Sequence, residues 1–224
     1  MGYGSADLLV CQLGTVPYRE ALALQGALRE ARQADAVPDL LLLLDHPPVY
    51  TRGRRSRPEE LPGGDAGDIE VVDVDRGGRM TYHGPGLLTG YPIMRVDDVL
   101  AFLRTMERAI IAALADAGLE GHSAGRPTGV WVGEEKIASM GLHVARGVTT
   151  HGFAVNVDND LAPWEAIVAC GLHGVRMTSV ARATGRPGPL MPAFREAVAR
   201  RFAEAHGRRP RPVALEDLPV ASVV

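Results

Sequence analysis

Apolar positions along the chain alternate between short unbroken runs and stretches with helical spacing. Leu8 to Leu13 is an apolar run closed by Gly14 and reads as a strand. Pro17 suits the first turn of a helix, and Leu22, Leu24, Leu28 and Ala31 follow at loosely helical spacing. Arg19, Glu20, Arg29 and Glu30 would face water, and Gln25, uncharged in mid-helix, is expected to be solvated. Pro38 ends that segment, and the unbroken leucines of Leu40 to Leu44 read as a strand buried on both faces. Ile69 to Val74 is a further strand, and another apolar run ends at Tyr91. Asp97 or Asp98 can cap a helix that carries Leu100, Leu103, Met106, Ile110, Ile111 and Leu114 on one face, with Gly118 as its stop.

The second half reads in the same way. Gly129 to Val132, Lys136 to Val144 and Val148 to Val157 are three strands, the first two joined by Gly133-Glu134-Glu135 and the last two by Arg146-Gly147. Leu161 to Ala169 reads as a short helix around Pro163 that delivers Cys170, and Thr178-Ser179 can cap another turn. Pro192 to His206 is amphipathic, with Phe194, Val198 and Phe202 at a four-residue spacing on its inner face. The pattern predicts a single α/β (α+β) domain, a central mixed sheet flanked by helices, over residues 1–206. Residues 207–224 form a Pro- and Arg-rich tail expected to be flexible.

Composition narrows this little. The 224 residues are 46% hydrophobic and 23% charged, as in an ordinary globular protein. A net charge of −3 gives no global drive toward nucleic acid or anionic membrane. Cys11 and Cys170, far apart, offer no disulfide framework, the N-terminal stretch lacks a secretory pattern, and no run approaches the ~18 apolar residues of a membrane span. A cytoplasmic protein is expected. Cys11, inside the first strand, reads as an inert buried thiol.

Chemistry concentrates in three places. Asp75 to Gly86 is a glycine-rich loop that also carries Arg76, Arg79, Thr81, Tyr82 and His83, and Tyr91-Pro92 follows it. Such a backbone can turn tightly and let a ligand come close. Cys170 lies beside Gly171 at a helix end. Lys136 is the sole lysine among 24 basic residues. A sequence that otherwise writes arginine points to a need for a base that can lose its proton. A surface salt-bridge partner is the plainer alternative. As ammonium, Lys136 would stabilise a Cys170 thiolate; as amine, it would take the thiol proton. A Cys/His arrangement with His83 or His151 stays open. His46, in a His-Pro turn, reads either as structural or as part of the site. Arg52, Arg54, Arg55 and Arg57 read either as a solvated run or as a docking surface for an acidic carrier. Glu59 to Gly67 reads as an exposed loop. No His/Cys cluster has metal-ligand spacing, so no metal is expected.

These motifs, in this order, resemble the octanoyltransferases of lipoate biosynthesis, also called lipoyl(octanoyl) transferases. The matching stretches are LLLLDHPPVYTRGRR, Arg76-Gly77-Gly78 with Thr81-Tyr82-His83-Gly84-Pro85-Gly86, Tyr91-Pro92, Lys136-Ile137-Ala138-Ser139-Met140-Gly141, His151-Gly152-Phe153-Ala154 with Asn156, and Ala169-Cys170-Gly171 before Thr178-Ser179. Leu87, Ala169 and Leu172 depart from the family's usual Gln, Pro and Ile.

The resemblance implies a fold similar to the lipoate and biotin protein ligases and a catalytic Cys170/Lys136 dyad. It implies an acyl pocket lined by Arg76, Gly77, Gly78, Arg79, Met80, Thr81, Tyr82 and His83, with Ser139, Met140, Gly141, Gly152, Phe153 and Ala154 as the remaining wall. Backbone amides near Gly77-Gly78, or after Cys170, are candidates for stabilising an oxyanion. The implied reaction moves an octanoyl group from acyl carrier protein to the lysine of a lipoyl domain through a Cys170 thioester. No cofactor is required, because the acyl group arrives on phosphopantetheine. The implied acceptors are the lipoyl domains of 2-oxoacid dehydrogenase complexes and the glycine cleavage H protein. The rivals are an ATP-dependent lipoate or biotin ligase and a noncatalytic acyl-binding protein.

Overall fold

The computed structural model describes residues 6–60, 68–124, 128–168, 174–186 and 188–220. Strand β1 (Asp7–Thr15) leads into helix α1 (Tyr18–Gln33), then to strands β2 (Leu40–Asp45) and β3 (Val49–Arg52). Strands β4 (Glu70–Asp73), β5 (Met80–His83) and β6 (Leu87–Ile93) precede helix α2 (Val99–Asp116). The short β7 (Gly121–His122) precedes a meander of β8 (Gly129–Val132), β9 (Glu135–Ala145) and β10 (Val148–Asn156). Helices α3 (Val180–Thr184) and α4 (Met191–Ala205) and strand β11 (Arg209–Pro212) complete the described elements.

Eight strands form one mixed sheet in the order β11-β1-β2-β6-β10-β9-β8-β7, and β4-β3-β5 form a second, small sheet. The leucine run shows why the large sheet sits at the centre. Successive side chains of a strand point to opposite faces. Leu40, Leu42 and Leu44 pack with Ala21, Leu24 and Leu28 of α1, while Leu41 and Leu43 pack with Met106, Ile110, Val198 and Phe202 of α2 and α4. Both faces are covered, which is what an unbroken apolar strand requires.

Asp98 caps α2 by accepting the Leu100 and Ala101 N–H groups, and Ser179 caps α3 through the Arg182 N–H. Met106, Ile110 and Leu114 are buried as expected, but Leu100 is 55% exposed. It sits in the first turn of α2, at the rim of a cavity instead of over the sheet.

Four expectations need correcting. Met80–His83, read as loop, is a strand that pairs antiparallel with β3 in register Tyr50↔Tyr82 and Thr51↔Thr81. Gln25, expected in water, is 1% exposed, because its Oε1 accepts the His151 N–H at 2.7 Å. Glu60, placed in an exposed loop, is 2% exposed and pairs with Arg79; residues 61–67 lie outside the described residues. The stretch after Gly207, expected to be a flexible tail, adds β11 beside β1. Its prolines are tolerable on an outer strand, since Arg209 and Val213 supply the N–H donors to Ala6 and Val10. Leu218 and Val220 are then buried against the α1 side of the core.

Candidate active site

A cavity of about 600 Å³ opens between the loop that enters β5, strand β5 itself and the β9–β10 pair. Strand alternation decides what faces it. Thr81 and His83 line the cavity, whereas Met80 and Tyr82 point the other way, into a cluster with Tyr50, Trp164 and Met177. The expected pocket residues Arg76, Gly78, Arg79, Ser139, Met140, Gly141, Gly152, Phe153 and Ala154 all lie on the wall. Gly77, Met80 and Tyr82 do not appear on it.

Gly77 stands behind the wall as a clamp. Its N–H donates to the Leu142 carbonyl at 2.9 Å, pinning the loop to β9. A Cβ on Gly141 would come within 2.5 Å of the Gly77 carbonyl, so the close approach of loop and strand depends on that glycine. The Gly77 N–H is therefore occupied and does not serve as an oxyanion donor. Gly78 has φ +92°, a conformation L side chains rarely adopt.

Arg76 is buried beneath this loop. Its guanidinium donates to the Thr51 carbonyl at 3.0 Å and to Thr51 Oγ1 at 2.7 Å. His83 stands between Thr51 Oγ1 and Thr89 Oγ1, 3.3 Å from each through opposite ring nitrogens. Burial, with Arg76 and two other histidines nearby, holds its pKa well below the usual value, so the ring is neutral at pH 7.

His46 lies just behind the cavity. Its Nδ1 faces the Val16 carbonyl at 2.6 Å, an acceptor, so Nδ1 carries the proton. Nε2 is left to accept from the Tyr91 hydroxyl at 2.7 Å, and burial lowers the His46 pKa to about 4. The open question about His46 resolves toward support: it orients Tyr91, which lines the cavity. His151 has φ +58° and donates from Nε2 to Asp75 at 2.8 Å, with a pKa likewise lowered to about 4 by burial. Tyr18 and Thr128 also line the cavity. Neither carried a signal in the sequence: Tyr18 is one residue of an ordinary first helical turn, and Thr128 flanks a strand.

Of the arginine cluster, Arg52 is paired with Asp73 and Arg57 lies 3.8 Å from Glu59, while Arg55 lines the cavity.

Lys136 is 1% exposed, which rules out the surface salt-bridge reading. Its neighbour Glu135 instead lies near Arg176 and Arg182. The Lys136 N–H donates to Arg176 O and its carbonyl accepts from Thr178, both at 2.9 Å, so the chain that follows Cys170 in sequence runs alongside it. Cys170 itself lies outside the described residues. Cys11 is buried in β1, and burial pushes its thiol up to about 11, consistent with an inert side chain. Among the described residues, no helix is long and apolar enough to cross a membrane.

Known proteins share this fold and much of this sequence. Residues 17–203 match the family model of the lipoyl protein ligase A/B catalytic domain. An octanoyltransferase of Mycobacterium ulcerans (strain Agy99) is 47% identical over 197 residues, 81% of this chain and 81% of that protein. An octanoyltransferase of Clavibacter michiganensis subsp. michiganensis (strain NCPPB 382) is 39% identical over 229 residues, 95% of this chain and 97% of that protein. The solved structure of lipoate-protein ligase A bound with ATP superposes with a TM-score of 0.77 at 22% identity, covering 93% of this chain and 88% of that one; at that identity it speaks for the fold alone. The chain belongs to the lipoyl protein ligase A/B catalytic-domain family.

Proposed function

We propose that this protein is an octanoyltransferase of protein lipoylation, moving an octanoyl group from acyl carrier protein to the lysine of a lipoyl domain through a thioester on Cys170. Relatives bearing that name across most of the chain support the reaction class. The observation that carries the mechanism is the burial of the sole lysine beside the segment that follows Cys170.

In the first half-reaction the Lys136 amine takes the Cys170 proton, and the thiolate attacks the thioester carbonyl. The carbon–sulfur bond to phosphopantetheine breaks, and the Lys136 ammonium returns the proton to the leaving thiolate. In the second, the acceptor amine attacks the Cys170 thioester, Cys170 leaves as thiolate, and the nitrogen's surplus proton passes to Lys136. The thioester arrives activated, so neither ATP nor a metal enters the balance. The wall formed by Met140, Phe153 and Ala154 suits an alkyl chain. Arg55 at the same cavity suits the negative charge of a carrier or its phosphopantetheine.

The ATP-bound ligase neighbour makes adenylate chemistry the reading to exclude. With octanoyl-carrier protein and a lipoyl domain, acceptor octanoylation is expected without ATP. Free octanoate with ATP and magnesium should give none. Transfer from free octanoate that consumes ATP would overturn the proposal in favour of a ligase.

Pocket shape gives a second expectation. Gly78→Val forces a branched side chain into a φ of +92° at the cavity wall. Octanoyl transfer should fall at least about tenfold more than butyryl transfer, the lower end of the discrimination one misplaced methylene provides. Equal losses for both chain lengths would assign Gly78 to folding instead.

A further inference from the structure

Helix α2 carries one buried carboxylate on its otherwise apolar inner face. Glu107 is 1% exposed. Its Oε2 accepts from the Arg104 guanidinium at 2.6 Å and from the Ser123 hydroxyl at 2.9 Å. Its Oε1 accepts the backbone N–H of Gly129, the first residue of β8, at 3.0 Å. A buried carboxylate is costly to desolvate unless its partners repay the cost. Its contact with Gly129 suggests a reason for its presence.

Gly129 has φ +152°, outside the ordinary range for L residues. A Cβ placed on it would lie 2.8 Å from Lys136 Cε and 3.4 Å from Lys136 Nζ, and 2.6 Å from the Ala138 carbonyl. The end of the Lys136 side chain thus rests directly on the Gly129 backbone. No other residue type would leave that space. We propose that Glu107 is a positioning residue for Lys136: its carboxylate fixes the Gly129 backbone on which the lysine amine lies, and so sets where that amine stands. The inference rests on Lys136 being the proton carrier, but it can be tested apart from that role.

Because the chain has one lysine, labelling with lysine carrying ¹⁵N at Nζ yields a single side-chain resonance. Glu107→Leu removes the acceptor while keeping an apolar filling, and Glu107→Gln keeps an oxygen able to accept the Gly129 N–H. In Glu107→Leu the Nζ resonance should move, because the backbone on which the amine lies is no longer held. The kcat should drop about tenfold with KM little changed, a part of the roughly 10²–10⁴-fold that general acid–base catalysis supplies. Glu107→Gln should restore both toward the parent. Glu107→Asp, which keeps the charge but draws the carboxylate back by one methylene from the Gly129 N–H, should move the same resonance and carries the test even if Glu107→Leu fails to fold. A folded Glu107→Leu with parental Nζ resonance and parental kcat overturns the positioning role and leaves the proposed reaction intact. A shifted Nζ resonance with unchanged kcat supports the positioning of the amine and instead removes Lys136 from catalysis.

Discussion

Lys136→Arg is expected to reduce octanoyl transfer by at least about a hundredfold, the lower end of what a positioned proton carrier supplies. Arginine keeps the positive charge and could still favour a thiolate, but a guanidinium does not release its proton in a protein. Space works in the same direction. The lysine end lies so close to Gly129 that a Cβ there would come within 2.8 Å of Cε, and the longer, branched arginine head group must be fitted against that same close-packed backbone. Lys136→Met, close in length and uncharged, separates the two causes: it fits, and it should be as inactive as the arginine variant. Both variants should melt cooperatively, with single-turnover transfer as the readout. Transfer by Lys136→Met within a few-fold of the parent would remove Lys136 as the base. His83 and His151 are weak substitutes, since burial keeps both neutral and holds their pKa values down.

A steep loss of stability in mild acid is the second large effect. His46 and His151 have pKa values lowered from 6.5 to about 4 in the folded protein, chiefly by burial. Above pH 6.5 both are neutral in the folded and the unfolded chain, and pH has no leverage through them. Between 6.5 and 4 the unfolded chain binds protons that the folded one refuses, so stability falls as pH falls. At about 1.4 kcal/mol for each pH unit of separation, each histidine disfavours the folded state by about 3 kcal/mol by pH 4. Together they offset much of the ~5–15 kcal/mol that stabilises a typical domain. Urea midpoints should be level from pH 8 to 7, then decline from about 6.5 downward. His46→Phe should be less stable at pH 7, because Tyr91 loses its acceptor, yet decline less steeply. A parental midpoint that stays level down to pH 4.5 would contradict the buried, neutral state of these rings.

How far the sequence revealed the fold depended on whether one local pattern could account for each element. The leucine run of β2 and the Phe194, Val198 and Phe202 spacing of α4 were readable because a single period fixed both element and face. Strands β3 and β5 were not, since prolines and glycines flank them and their pairing joins distant segments. Strand β11 was hidden by its prolines, which only an edge position permits. Gln25 read as solvated because its partner is a backbone amide of β10, far away in sequence. The chemical residues were legible from type and rarity: a sole lysine, and a glycine loop bearing Arg76 and His83. Their support was not. Thr51 beneath Arg76, Glu107 behind Gly129 and His46 behind Tyr91 act through distances that no spacing encodes.

The central claim is a covalent octanoyl intermediate on Cys170, and intact-mass measurement after mixing with octanoyl-carrier protein in the absence of acceptor tests it most directly. The parent and Cys11→Ser should each gain one octanoyl group, mapped by peptide analysis to Cys170 and lost again on adding a lipoyl domain. Cys170→Ser should gain little or none. An enzyme that turns over with no adduct, or with the octanoyl group on Cys11, would contradict the account.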